Sequence, residues 1–144
     1  MSDNDGSKKA ALVAAAAANE LKATDILVQN VGPFIGVTDY FVFATAGNPR
    51  QGEAMIDRIE EDMRVKAGMK PMNREISKDG SWSLIDYGDV VVHVFSPEAR
   101  NYYRLEQLWS EAPMIDLSAI EGFEDMELTS RGEALLESSP NDEV

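Results

Sequence analysis

The chain has no cysteine among its 144 residues and only one histidine. Without thiols it cannot form disulfides or zinc–thiolate sites, and it cannot use a cysteine nucleophile. A single histidine likewise rules out a zinc site built from several imidazoles. A chain without cysteine fits the reducing cytosol, so we expect a cytoplasmic protein that carries neither a metal nor a cofactor.

Long apolar runs and basic residues are also scarce. Residues 10–18 are mostly alanine, and this stretch is too short and too weakly hydrophobic to be a membrane span or a signal peptide. The chain has 13 Lys and Arg residues against 26 Asp and Glu, which gives a formal net charge of −13. Since affinity for nucleic-acid phosphates comes from Lys and Arg, we expect no direct nucleic-acid specificity. A partner should instead be basic or neutral.

The order of apolar segments predicts an α/β domain in which a mixed sheet of about five strands is flanked by helices. Strands are predicted where short runs of β-branched and aromatic residues lie between turn residues. These runs are Asp25–Val31, Asp39–Thr45, Met69–Ile76, Ser81–Asp86 and Asp89–Phe95. Three helices are predicted, from Ser7 to about Leu21, from Pro49 to Gly68 and from Pro97 to about Trp109.

The second of these helices has the strongest local signal. Asn48 can cap its N terminus, Pro49 suits the first helical position, and Gln51 is placed to complete a capping box. Gly68 supplies a left-handed stop at the other end. Apolar residues recur between these limits at helical spacing, so one face of this helix should pack on the sheet.

Composition divides the chain into three parts. Residues 1–6 are polar and predicted to be flexible, and residues 7–117 form the domain. Residues 118–144 carry eight acidic residues against Arg131, a net charge of −7, and their apolar residues have no regular period. This composition predicts a disordered acidic tail whose removal leaves the melting temperature nearly unchanged.

The last two predicted strands carry the densest functional signal. If the chain reverses at Tyr87-Gly88, the facing pairs are Asp86 with Asp89, Leu84 with Val91, and Trp82 with His93. The period of two then places these side chains on one face of the sheet. A protein-binding patch needs an aromatic anchor and charges that set orientation, and this face would have both.

Each of these residues also has a purely structural interpretation. Trp82 is more often a core residue than an interface residue, and His93 in a valine-rich strand is usually partly buried. Asp86 and Asp89 flank a glycine and are ordinary turn residues. Their joint placement on one face is what favours the binding interpretation.

Catalytic chemistry has weaker support. Asp39, Asp86 and Asp89 could hold magnesium if the fold brought them together. The Gly36–Asp39 segment before a strand is loosely similar to nucleotidyl-transfer enzymes, which need a second carboxylate two residues further on. That position is Phe41. We therefore predict that Asp39 has no catalytic role and that the protein is not an enzyme.

Five segments together share the residue pattern of one known family. They are Thr38–Thr45, Asn48–Gln51, Trp82–Phe95, Pro97–Arg100 and Tyr103–Trp109. They resemble the ribosomal silencing factor family (RsfS, also called Iojap or YbeB), and the resemblance runs from about Leu12 to Asp116. The family fold is similar to a nucleotidyltransferase core without its catalytic carboxylates, which agrees with Phe41.

This resemblance implies a function and a set of binding residues. Such factors bind the basic protein numbered fourteen on the intersubunit face of the large ribosomal subunit. There they block joining of the small subunit and repress translation when nutrients fall; free of the ribosome, they form homodimers. The binding residues implied for this chain are Trp82, Asp86, Tyr87, Asp89 and His93, with Arg100 and Tyr102 nearby. Two alternatives remain, a large-subunit biogenesis factor that uses the same surface and a nucleotidyltransferase-like enzyme.

Overall fold

The computed structural model describes residues 4–108 and 110–142. Its helices are α1 (Asn4–Glu20), α2 (Gly32–Ile35), α3 (Pro49–Lys66), α4 (Pro97–Tyr103) and α5 (Ser130–Ser138). Its strands are β1 (Thr24–Asn30), β2 (Tyr40–Thr45), β3 (Asn73–Glu75), β4 (Trp82–Asp86), β5 (Val90–Phe95), β6 (Met114–Ile115) and β7 (Asn141–Asp142). No helix in this described part of the chain is long and apolar enough to cross a membrane.

The strands form one mixed sheet in the order β3-β4-β5-β2-β1-β6-β7. The central pair, β2 and β5, is parallel, and β1 and β4 flank it in antiparallel pairing. The predicted α/β class is therefore confirmed, and the five predicted strands correspond to β1 through β5. The outer strands β6 and β7 have only two residues each, too few to produce a recognisable sequence pattern.

The two faces of the sheet bury different kinds of side chain. Helices α1 and α3 cover one face, where the buried residues are mainly alanine, valine, isoleucine and methionine. The opposite face carries Phe41, Phe43 and Phe95, and α4 and α5 pack on part of it. Because β2 is buried along its whole length, it reads as the continuous apolar run expected of a central strand.

The predicted cap and start of α3 are confirmed, and its end lies close to the predicted one, but the Gln51 side chain does not bond the Asn48 N–H as the predicted capping box requires. The Asn48 side chain accepts a hydrogen bond from the Gln51 backbone N–H at 2.8 Å, as an N-cap should. The Gln51 side chain also accepts from the Gly47 N–H and donates to the Leu21 carbonyl, both within 2.8 Å. Gln51 therefore joins the start of α3 to the end of α1. Gly68 has a φ of +67°, which suits its predicted role.

Each of the other two helices has one predicted limit wrong: the start of α1 and the end of α4, whereas the end of α1 near Leu21 and the start of α4 at Pro97 are confirmed. Helix α1 begins at Asn4, so Ser7 is not its cap; its hydroxyl donates to the Asp39 carboxylate at 2.9 Å. Residues 4–6 are thus helical, while residues 1–3 lie outside the described part. Helix α4 ends at Tyr103 because Arg104 adopts a left-handed conformation with φ +49°, and a 3₁₀ turn follows. Trp109, the predicted end, lies outside the described residues.

The C-terminal segment differs from the predicted disordered tail, because residues 118–142 fold back onto the domain. Phe123 and Leu135 are buried among the core side chains. The Asp25 carboxylate accepts hydrogen bonds from the Thr129 backbone N–H at 2.7 Å and its hydroxyl at 2.6 Å. A side chain at position 132 would place its Cβ 2.2 Å from that carboxylate, so Gly132 is required there. These contacts come from 3₁₀ turns, loops and a short helix, which explains why no apolar period predicts them.

We therefore expect the C-terminal segment to contribute to stability. Leu135→Ala should lower the free energy of unfolding by about 2 kcal/mol or more, because it leaves a cavity beneath α5. Glu137→Ala, an exposed change in the same helix, is the matched control and should have little effect. Chemical denaturation measures both. Equal stability of the two variants would mean that α5 is not docked on the domain in solution.

Candidate protein-binding surface

Strands β4 and β5 form a tight hairpin, as predicted, but with a different register. Trp82 faces Phe95, Leu84 faces His93, and Asp86 faces Val91. The Tyr87 N–H donates to the Val90 carbonyl at 2.8 Å, so the turn residues are Gly88 and Asp89. The chain thus reverses one residue later than predicted, at a glycine with φ +89°. Because the resulting shift in pairing is two residues, the strand residues still share the predicted face.

Aromatic rings pack closely on this face. His93 stacks on Phe43 with ring centroids 5.3 Å apart, and it meets Phe41 in a T-shaped arrangement with ring centroids 4.9 Å apart. Trp82 stacks on Phe95 at 5.2 Å and meets Tyr103 of α4 at 4.8 Å. Trp82 therefore stands at the border of a packed aromatic layer, with neighbours on two sides that fix its ring.

Part of the same face is left uncovered by α4 and α5. Trp82, Leu84, Asp86 and Val91 are all half-buried, and we call these four residues the open strip. The exposed Asp89 follows the strip at the hairpin turn, while Phe43 and Phe95 beside it are fully buried. The open strip is thus an apolar band with acidic groups at one end, which suits contact with a basic protein surface.

His93 lies beneath the strip and has only 3% of its surface exposed. Its Nδ1 accepts a hydrogen bond from the Trp82 indole Nε1–H at 3.2 Å. Burial, together with the smaller effect of the nearby positive charge of Arg100, lowers the pKa of His93 from 6.5 to about 3. His93 is therefore neutral at physiological pH, and it supports Trp82 from below rather than facing solvent.

Arg100 is buried as well, with 2% of its surface exposed. Its guanidinium bonds the Glu106 carboxylate at 3.0 Å and the Thr45 hydroxyl at 2.8 Å, and it lies 5.6 Å from the centre of the Phe43 ring. These contacts fix α4 and the following turn to the sheet. Arg100 thus holds the covered part of the face in place and does not reach the surface.

The remaining predicted residues divide between the two faces. Tyr87 is buried on the opposite face, towards α3. Burial and the negative charge of Glu60 raise its pKa to about 12, although the positive charge of Arg74 has a smaller lowering effect. Asp86 is half-buried, and its carboxylate accepts a hydrogen bond from the Gly88 N–H at 2.7 Å. Asp86 therefore has the structural role of an ordinary turn residue. Tyr102 is 80% exposed on α4.

The structure therefore brings Trp82, Asp86 and Asp89 to one accessible surface, with Tyr102 exposed on α4. It places Tyr87, His93 and Arg100 inside the protein. A surface residue cannot be told from a residue that supports it by sequence pattern alone, which explains the mixture.

Several accessible residues of this region were not among the predicted binding residues. Leu84 and Val91 belong to the open strip, and Tyr103 borders it. In the segment after β1, Ile35 packs in the same apolar cluster as Phe41 and Val91, which places this segment beside the open strip. Its neighbours Phe34 and Val37 are exposed and add to the accessible apolar surface. The period of two in β4 and β5 contained the signal for the first pair. No sequence pattern indicated that Phe34 and Val37 would be exposed beside this surface.

Two of the three aspartates considered for magnesium binding have other contacts in the fold. The Asp39 carboxylate is bonded by Ser7 of α1, whereas that of Asp86 is bonded by the Gly88 backbone. Within residues 4–108 and 110–142 there is no group of three or more His, Asp or Glu side chains that could hold a metal ion.

Comparison with known proteins identifies the relatives of this chain. The sequence model of the family described as "Ribosomal silencing factor during starvation" matches residues 4–138. The ribosomal silencing factor RsfS of Bacillus subtilis is 38% identical over 105 residues, which cover 73% of this chain and 88% of that protein. The chloroplastic protein Iojap of Zea mays is 42% identical, with 72% of this chain and 44% of that protein covered.

A solved structure and a mitochondrial relative extend the comparison. A crystal structure of a Chromobacterium violaceum protein has a TM-score of 0.66 and 31% identity, and covers 76% of this chain and 87% of its own. The mouse protein named "Mitochondrial assembly of ribosomal large subunit protein 1" is 34% identical over 90 residues, 61% of this chain. This chain spans 40% of the mouse protein and less than half of the maize protein.

The buried state of His93 predicts a pH dependence of stability. Between pH 6.5 and about 3 the unfolded chain binds a proton on this histidine that the folded chain does not bind. The contribution of His93 is therefore complete above pH 6.5 and is lost as the pH falls towards 3. Between pH 6.5 and about 5, the free energy of unfolding should fall with decreasing pH more steeply in wild type than in His93→Asn, by up to about 1.4 kcal/mol per pH unit. Denaturation at several pH values measures this slope. Since the chain has no other histidine, equal slopes would mean that His93 is not buried and neutral.

Proposed function

Because this chain belongs to the ribosomal silencing factor family, we propose that it represses translation by binding the large ribosomal subunit and blocking its union with the small subunit. The docking partner is the basic protein numbered fourteen of the large subunit, and repression acts mainly when nutrients are limiting. The protein works in the cytoplasm without a cofactor, and it forms a homodimer when free. The observation that carries this proposal is the open strip with its acidic end.

The composition of the strip suits a protein partner. Trp82 offers a large ring that its neighbours already hold in place, so little side-chain entropy is lost on binding. Leu84 and Val91 continue the apolar surface beside it, while Asp86 and Asp89 place negative charge at the end of the strip. A buried aromatic anchor with charges at the rim is the usual arrangement at the centre of protein interfaces.

The strip alone is smaller than a stable interface, which usually buries about 800 Å² on each partner. Exposed aromatic residues on α4 enlarge it, since Tyr102 and Tyr103 lie against one another beside Trp82. We therefore assign direct contact to Trp82, Asp86, Asp89 and Tyr102. We assign Tyr87, His93 and Arg100, which are buried, to the support of this surface.

The net charge of the chain supports the choice of a basic protein as the partner. A charge of −13 repels RNA phosphates, so binding to the ribosome must avoid close approach to the ribosomal RNA. A basic protein that projects from the subunit surface satisfies this condition. The same field speeds association with such a protein.

A role in large-subunit assembly is the second candidate function. The name of the mouse relative describes that role, and binding to the same surface of the large subunit would serve it equally well. The two functions differ in their timing. An assembly factor is needed for normal maturation of the subunit, whereas a silencing factor acts on mature subunits. Addition to purified mature subunits therefore separates them.

Nucleotidyl transfer is the third candidate, and it has the least support. Calorimetry with magnesium-ATP tests it directly. Binding of the nucleotide, together with transfer activity that is lost in Asp39→Asn, would favour the enzyme over both ribosomal functions.

We expect Asp89→Lys to weaken binding to the large subunit. Asp89 is exposed at the turn, so the change should scarcely alter stability, while it places a positive charge against a basic partner. Association should slow, and the defect should shrink as salt screens the charges. Asp57→Lys is the matched control, because Asp57 is exposed on α3 on the opposite face of the sheet.

Sedimentation on sucrose gradients gives the functional result. Wild type and Asp57→Lys should keep purified large and small subunits apart, and Asp89→Lys should let them join at low salt. If Asp89→Lys separates the subunits as well as wild type does, the open strip is not the binding surface. If wild type binds only immature large subunits, the assembly function replaces the silencing function.

A further inference from the structure

The hydrogen bond between Trp82 and His93 determines which parts of the indole a partner can use. The indole Nε1–H can only donate, so the Nδ1 atom of His93, 3.2 Å away, must be the acceptor. A neutral imidazole carries its single proton on the other nitrogen, so Nε2 is protonated. Nε2 is buried, and it has no hydrogen-bond partner among the described residues.

This arrangement leaves a polar group unsatisfied inside the protein. A buried N–H without a partner is unfavourable, and phenylalanine at position 93 would avoid that cost. The histidine therefore contributes something other than packing among Phe41, Phe43 and Phe95. On the side of the ring that meets Trp82, Nδ1 is the one feature of histidine that a phenylalanine ring of similar size would not have.

We propose that His93 is a positioning residue, whose Nδ1 holds the Trp82 indole in one orientation and leaves the apolar surface of the ring, not its N–H, for the partner. This inference rests on the proposed function, because it describes how the open strip meets the large subunit. It makes Trp82 an anchor that binds by packing alone. It also assigns to His93 a role that needs no contact with the partner.

The surroundings of His93 keep it in the form that this role requires. The charged group that acts on it is Arg100 of α4, whose positive charge opposes protonation and which is paired with Glu106 at 3.0 Å. From β4, Trp82 contributes only its indole, and β2 contributes the rings of Phe41 and Phe43. A protonated ring would carry a proton on Nδ1 and could no longer accept from Trp82.

Nuclear magnetic resonance of the free, ¹⁵N-labelled protein tests the first part of the proposal. The single histidine should show the Nε2–H tautomer at neutral pH, and the Trp82 indole proton should exchange slowly with solvent. Trp109→Phe assigns the two indole signals. A protonated ring at pH 6.5 or the Nδ1–H tautomer would overturn the proposal. This measurement does not involve the ribosome, so it stands even if the proposed function fails.

Binding to isolated large subunits tests the second part. His93→Phe keeps a ring but loses the acceptor, and it should weaken binding roughly three- to tenfold, the usual effect of one hydrogen bond, without loss of stability. His93→Asn places an amide oxygen near the position of Nδ1 and should restore part of the affinity. In the Trp82→Phe background, which has no indole N–H, His93→Phe should cause no further loss.

The opposite pattern would show that the partner uses the indole N–H. In that case His93→Phe would free the donor, and affinity would stay the same or rise. Should His93→Phe unfold the protein, the His93→Asn variant and the exchange rate of the Trp82 indole proton in wild type still decide the question. Rapid exchange of that proton in wild type would overturn the proposal.

Discussion

The buried ion pair between Arg100 and Glu106 determines which part of the aromatic face is covered and which part is open. Helix α4 ends after seven residues, and the left-handed Arg104 turns the chain so that Glu106 returns to the Arg100 guanidinium. Two charges removed from water must be well paired, or their desolvation would destabilise the fold. The Thr45 hydroxyl and the Phe43 ring complete the surroundings of the guanidinium. The turn is therefore held across β2, and β4 is left uncovered.

The open strip exists because the turn after α4 is held across β2 and does not cover β4. Had α4 continued as a regular helix beyond Tyr103, Glu106 would not meet Arg100 as it does through the turn. The short helix instead places Tyr103 against Trp82 and leaves Leu84 and Val91 half-buried. One internal pair thus both stabilises the aromatic layer and sets the border of the accessible surface.

Sequence reasoning succeeded where the signal was local. The Asn48 cap, the start of α3 and the continuous apolar strand β2 depend on neighbours in the chain, and all three were predicted correctly. The hairpin was predicted with its register two residues off, because Tyr87-Gly88 and Gly88-Asp89 are both reasonable turns. The shared face survived this error, since a shift of two preserves the alternation of side chains.

Sequence reasoning failed where a residue's role depends on distant partners. The docking of the C-terminal segment is set by Asp25, whose carboxylate accepts hydrogen bonds from Thr129, the N-cap residue of α5, more than a hundred residues away. Acidic composition predicted disorder there because the few apolar residues follow no period, although Phe123 and Leu135 find places in the core. Pairing of this kind becomes visible only when the sheet brings β1 next to that segment.

The same limit explains why the candidate site mixed surface and buried residues. The motif from Trp82 to Arg100 contains the residues that a partner can reach and those that hold them, and nothing in their identity separates the two sets. Geometry separates them, since His93 bonds Trp82 from beneath and Arg100 fixes the neighbouring helix, while Asp89 stands free at the turn. In the proposed interface, a rigid internal layer would let a narrow strip act as an anchor, because the cost of ordering Trp82 would be met during folding and not during binding.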